Sequence, residues 1–156
     1  MRRFAQGLSR PPRATNFNDP LSNRVGLLGA GRHTQMQRIL IAEDDPLLAT
    51  IYEITLCEAG FEVMVCRDGV EALDCLEDFA PDLLITDFYM PRMTGGELIQ
   101  AVRQRRGGLT ATLLASAIDP ERLEADQRAD GRLEKPITPA RLLHGVRALT
   151  DCPLAA

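Results

Sequence analysis

Glu43 and Asp44 follow the apolar run Ile39-Leu40-Ile41-Ala42, Asp87 follows Leu83-Leu84-Ile85-Thr86, and Ser116 follows Leu113-Leu114-Ala115. Lys135 closes a weaker run and stands directly before Pro136. Each of these groups can ligate, donate or carry charge, and each sits where a buried run gives way to polar chain. Three carboxylates gathered in one place repel, and without a cation at least one must take up a proton at neutral pH. A hard divalent cation relieves this, and Mg2+ in particular favours a few carboxylates plus waters and phosphate oxygens over a closed protein cage. Acids at the first loop also reject a naked anion; a bound metal inverts that preference, because phosphate oxygens can complete its coordination. Of the 18 basic residues 17 are Arg, so the single Lys at position 135 is a pointed choice. A compact ammonium meets a phosphoryl oxygen as a point charge, where a planar guanidinium demands a fork geometry.

These groups converge only if the elements carrying them are neighbours. From residue 38 onward short apolar runs alternate with helical patterns. The strand Ile39 to Ala42 leads into a helix with Asp45 as N-cap and Pro46 at the first position, its apolar positions Leu47, Leu48, Ile51, Ile54 and Leu56, ending at Gly60. A strand over Phe61 to Cys66 precedes a helix over Gly69 to Phe79, broken by Pro81-Asp82. After the Leu83 to Thr86 strand, a helix is predicted from about Gly96 to Arg106, then the strand Leu113 to Ala115 and a short polar helix from about Pro120 to Ala129. A weak fifth strand at Arg132 to Glu134 and a last helix capped by Thr138-Pro139, with Leu142, Leu143, Val146 and Leu149 as its stripe, complete the chain. The order is (βα)5, an α/β doubly wound parallel sheet of five strands in the flavodoxin-like order 2-1-3-4-5. Ligands of such sheets bind beyond the carboxyl ends of the strands, where strand order reverses, and every group named above lies at such an end.

Composition narrows the function further. No run approaches the roughly 18 apolar residues of a membrane span. The charge is divided: residues 1 to 37 hold six Arg and one acid, whereas residues 38 to 156 hold 12 basic and 21 acidic groups, a net charge of -9. With an acidic domain, and only two Tyr, five Phe and no Trp in the whole chain, direct nucleic-acid binding is not expected. The four Cys show neither a CxxC pair nor metal-ligand spacing and fit reduced thiols in the cytoplasm. Residues 1-36 have no sustained apolar period and are predicted to form a disordered extension, or an over-extended gene start ahead of Met36; residues 37-150 form the domain and 151-156 a short tail. The stretch GLLGAGRH (26 to 33) lacks the Lys and the following Ser/Thr of a phosphate-binding loop, and no strand precedes it.

Four ordered blocks resemble the receiver domain of two-component response regulators: ILIAEDD (39 to 45), LLITDFYMPRMTGGE (83 to 97), LLASA (113 to 117) and EKP (134 to 136). The resemblance covers about residues 37 to 150. It implies that Asp87 accepts a phosphoryl group from a phosphohistidine on a sensor histidine kinase or a histidine phosphotransfer protein. It further implies that Glu43, Asp44, Asp87 and the backbone carbonyl of Tyr89 hold Mg2+, that Lys135 contacts the phosphoryl group, and that Ser116 swings its hydroxyl towards it after transfer. The Lys135-Pro136 peptide is expected to be cis. Output is then a protein contact, from a receiver with no attached output domain; the resemblance makes it a phosphoacceptor and not a conventional enzyme, and its oligomeric state is open.

Three departures from the family pattern stand out. The position three before the Lys, normally aromatic, is Arg132; the separation of 19 positions between Ser116 and Lys135 is short by the better part of a helical turn, so the fourth helix is expected to be stunted; and Tyr89 and Ile118 bring bulk to positions expected to flank the phosphoryl group, which predicts slow self-dephosphorylation. Arg132 and the short helix favour one rival, a receiver-like interaction module that does not signal. A second rival, a phosphatase with an Asp nucleophile, needs a carboxylate two residues on, where this chain has Tyr89.

Overall fold

Ile39, Leu40, Ile41 and Ala42 expose none of their surface, and Leu83, Leu84 and Ile85 at most 1%. Only a strand covered on both faces does this. The computed structural model, which describes Thr15–Asn16 and residues 37–150, places these runs as β1 (Arg38–Ala42) and β3 (Leu83–Thr86) at the centre of a parallel sheet. β2 (Glu62–Cys66), β4 (Ala111–Ala115) and β5 (Gly131–Leu133) complete the expected order 2-1-3-4-5.

Successive side chains of a strand point to opposite faces. Ile39 and Ile41 therefore join Ile85, Leu113 and Leu133 beneath α1 (Pro46–Glu58) and α4 (Pro139–Thr150), while Leu40, Ala42 and Leu84 pack under α2 (Gly69–Phe79) and α3 (Gly95–Arg106). Three of the helices start on well-built caps. Asp45 accepts from the Leu47 and Leu48 amides at 2.9 and 3.2 Å, Asp68 from Val70 and Glu71 at 2.9 Å each, and Thr94 forms a reciprocal capping box with Glu97.

Several expectations change. The α1 core face is Ala49, Tyr52 and Leu56 with Leu48 beside them, while Leu47, Ile51 and Ile54 are exposed. The helix is apolar nearly all round, so periodicity alone did not orient it, and Tyr52 counts as core despite its hydroxyl. The segment from Pro120 to Ala129 is not an α-helix but two single 3-10 turns, Pro120–Arg122 and Ala125–Gln127. Its charged residues offer only Leu123 and Ala129 to the core, too little for a helical stripe; the segment is tied instead by Gln100 and Arg103 of α3, which bond Asp126. The fold therefore has four α-helices among the described residues. Of the expected disordered extension, Thr15–Asn16 is described and is a strand, paired in parallel with Gly131 and Arg132 at the sheet edge. The remainder of residues 1-36 and the tail 151-156 lie outside the described residues.

The core gives its thiols unequal reactivity. Burial, helped by the neighbouring Cys75, pushes the Cys66 thiol up to about 12, while Cys57 is exposed. Alkylation at mildly alkaline pH followed by peptide mapping is expected to modify Cys57 and spare Cys66 until denaturant is added; equal rates at the two would contradict this packing.

Candidate metal site at the strand ends

The parallel ladders continue one residue past the strands and bring the acids together. Ala42 pairs with both Thr86 and Cys66, the Asp87 amide donates to the Ala42 carbonyl at 3.1 Å, and the Glu43 amide donates to the Cys66 carbonyl at 3.1 Å. Glu43, Asp44 and Asp87 each thereby place a carboxylate oxygen within 4.8 Å of the other two. Glu43 is buried, Asp87 half-buried and Asp44 exposed, so the cluster opens to solvent at one side.

Lys135 enters this cluster from the end of β5. Its Nζ lies 3.2 Å from Glu43 Oε2 and 3.1 Å from Asp87 Oδ2. The remaining oxygens are fixed by backbone amides: Asp45 N–H donates to Glu43 Oε1 at 3.1 Å and Phe88 N–H to Asp87 Oδ1 at 2.7 Å. Burial raises the Glu43 pKa, against the opposing pull of the Asp45 amide and Lys135. Burial alone would lower the Lys135 pKa, but the Glu43 and Asp87 carboxylates outweigh it and hold the ammonium above its usual value. One ammonium among three carboxylates leaves negative charge over, and the all-oxygen donor set open on one side suits a hard divalent cation that keeps waters.

Ser116 lies at the end of β4, buried, its amide bonded to the Leu133 carbonyl at 3.0 Å. Its hydroxyl oxygen accepts from the Ile118 amide at 3.3 Å. Tyr89 lies two residues beyond Asp87 with an exposed ring edge-on to Phe88, and Ile118 packs among Ile99, Leu114, Leu123 and Ala129. The Lys135-Pro136 peptide is cis, as expected.

Sequence reasoning missed the devices that hold the Asp87 loop. Thr86 Oγ1 donates to the Asp87 carbonyl at 2.8 Å and the Gly95 amide to the Phe88 carbonyl at 2.8 Å. A Cβ on Gly95 would lie 2.0 Å from the Asp87 carbonyl oxygen, so only glycine admits this approach. Arg92, in the left-handed region at φ 68°, clamps Asp68 through Nε and Nη2 and so ties the loop to the start of α2. The Gly95-Gly96 doublet was the one visible signal; the Arg92-Asp68 pair, 24 positions apart, left none.

The sequence model described as the response regulator receiver domain matches residues 39–147. The chain belongs to that family. This receiver is 34% identical over 117 residues to the DNA-binding response regulator MtrA of Mycolicibacterium smegmatis, covering 74% of this chain and 51% of that protein. It is 35% identical over 115 residues to the transcriptional regulatory protein CpxR of Escherichia coli K12, covering 73% and 49%. The chain thus spans about half the length of the curated relatives it matches. Among solved structures the receiver resembles the chemotaxis response regulator CheY4 of Vibrio cholerae, with a TM-score of 0.68 and 32% identity over 74% of this chain and 99% of that one. It also resembles the response regulator TrrA of Thermotoga maritima in complex with Mg(2+)-BeF, with a TM-score of 0.66 and 28% identity over 73% and 99%. Among the described residues of the receiver no helix is long and apolar enough to cross a membrane.

Two outcomes follow from the loop anchors. Gly95→Ala must push the Asp87 backbone aside and is expected to cost about 1–3 kcal/mol in urea unfolding; an unchanged midpoint would contradict the close approach. The Glu71 amide, with the Arg92 guanidinium, holds the Asp68 carboxyl below its usual value. That contribution to stability is present above the unfolded carboxylate pKa of about 3.9 and is lost as pH falls through the lower folded value. Asp68→Asn keeps the cap but not the charge, so its stability deficit is expected at neutral pH and should vanish in acid; a deficit independent of pH would show that the charge is irrelevant.

Proposed function

We propose that this receiver accepts a phosphoryl group on Asp87 from a phosphohistidine of a sensor histidine kinase or a histidine phosphotransfer protein, in a Mg2+-dependent reaction, and signals through protein contacts. The observation that carries the reading is Lys135 Nζ bridging Asp87 Oδ2 and Glu43 Oε2 beside three carboxylates that share one space. Glu43, Asp44 and Asp87, with the backbone carbonyl of Tyr89, would hold the Mg2+, the ion to which the TrrA relative is bound. When bound, it supplies positive charge that offsets the charge on the transferred oxygens.

The chain's own groups do the rest. The Phe88 amide fixes Asp87 Oδ1 and leaves Oδ2 as the attacking atom. An Oδ2–P bond forms as the N–P bond of the donor breaks, and the imidazole leaves with the electron pair and takes up a proton. Lys135, already in contact with Oδ2, follows the charge onto the phosphoryl oxygens. Ser116 then turns its hydroxyl from Ile118 towards that group and biases the surface around α4. Residues 37-150 are the receiver in this reading, 1-36 a basic extension and 151-156 a tail. The acidic receiver works in the cytoplasm on a downstream protein and not on nucleic acid.

Incubation with Mg2+ and acetyl phosphate separates this reading from its rivals. Stable labelling that is lost on chelation and abolished by Asp87→Asn is expected. Rapid turnover would favour the Asp-nucleophile phosphatase, and no labelling the non-signalling module to which Arg132 and the missing α-helix point. The bulk of Tyr89 and Ile118 predicts a long-lived phosphate in the isolated protein; a lifetime of only seconds would contradict that part.

A further inference from the structure

Arg132 lies within β5, paired with Leu114 of β4. Its Nη2 donates to the Ile118 carbonyl, and its Nε is buried with no partner among the described residues. The same residue is held at its other end, because the Ile118 amide donates to Ser116 Oγ at 3.3 Å. The Ile118 side chain, 8% exposed, packs in the cluster against which Phe88 rests, and the Phe88 amide fixes Asp87. One buried residue thus links Ser116, Arg132 and the neighbour of Asp87.

The Ile118 carbonyl takes its donor from a side chain of the neighbouring strand and not from the segment that follows it. Neither of the two short 3-10 turns that follow offers a backbone amide to the Ile118 carbonyl. A buried carbonyl without a donor is costly, and Arg132 supplies the donor from the neighbouring strand.

We propose that Arg132 is a positioning residue, which latches Ile118 in the resting loop and couples the Ser116 hydroxyl to the packing of the β4–β5 segment. The inference rests on the function proposed above and names how that site is regulated. When Ser116 turns to a phosphoryl oxygen, the Ile118 amide loses its acceptor, and the segment has to move to satisfy it. Movement releases the Ile118 carbonyl from Nη2. The resting loop leaves Nε unpaired, so the guanidinium has a donor in reserve for a second arrangement. Arg132 therefore opposes the turn of Ser116 until the phosphoryl group is present.

The test uses the full chain and follows the Ile118 amide by NMR without phosphate, and acetyl phosphate labelling with Mg2+. Arg132→Ala is expected to shift the Ile118 resonance and to speed its hydrogen exchange about tenfold, the effect of one lost hydrogen bond. Labelling should rise several-fold, and this rise should disappear when Ser116→Ala is combined with it, because both act through Ile118. Arg132→Lys, if it restores the donor, should return both readouts towards wild type. An unmoved Ile118 amide, or a labelling change of equal size in the Ser116→Ala background, overturns the latch. Arg132→Gln carries the same two readouts should Arg132→Ala not fold. Wild-type protein that fails to label removes the proposed function, whereas the Ile118 amide comparison needs no phosphate and decides the latch separately.

Discussion

Mutual repulsion among Glu43, Asp44 and Asp87 is the constraint around which this receiver is built. Their oxygens come within 4.8 Å of one another at the ends of two adjacent strands, and Lys135 bridges two of them at 3.1 and 3.2 Å. One ammonium cannot neutralise three carboxylates. In the proposed function the leftover charge takes up a cation, and Lys135 is released from Asp87 as charge moves outward.

The fold sets that proximity through β1 and β3. Their side chains are covered on both faces, so their register is pinned by two cores, and the acids at their ends have little freedom to separate. The loop after Asp87 is fixed by short-range devices, the Thr86 hydroxyl, the close approach of Gly95 and the Arg92 clamp on Asp68. The opposite flank, between β4 and β5, is held by a small apolar cluster around Ile118, Leu123 and Ala129, by side-chain bonds and by two short turns.

Most of this arrangement was legible in the sequence because it rests on strong local signals. Continuous apolar runs gave the central strands, Asp45-Pro46 and Thr138-Pro139 gave helix starts, and the groups at strand ends gave the cluster. What escaped depended on tertiary context. The face of α1 was ambiguous because Leu47, Ile51 and Ile54 are as apolar as the residues that are buried. The segment after β4 carried helix-compatible residues but no apolar stripe to dock, and the pairing of Thr15–Asn16 with β5 joins positions more than a hundred residues apart. The present direction of the Ser116 hydroxyl, towards Ile118, follows from a loop conformation that no residue type announces.

Whether Glu43, Asp44 and Asp87 act as one cation site is decided by calorimetric titration of the chain with Mg2+. Uptake of one ion per chain is expected, markedly weakened when Asp44, the exposed member of the trio, is replaced by Asn. Absence of heat, or uptake indifferent to that replacement, would show that the three carboxylates do not act as one site.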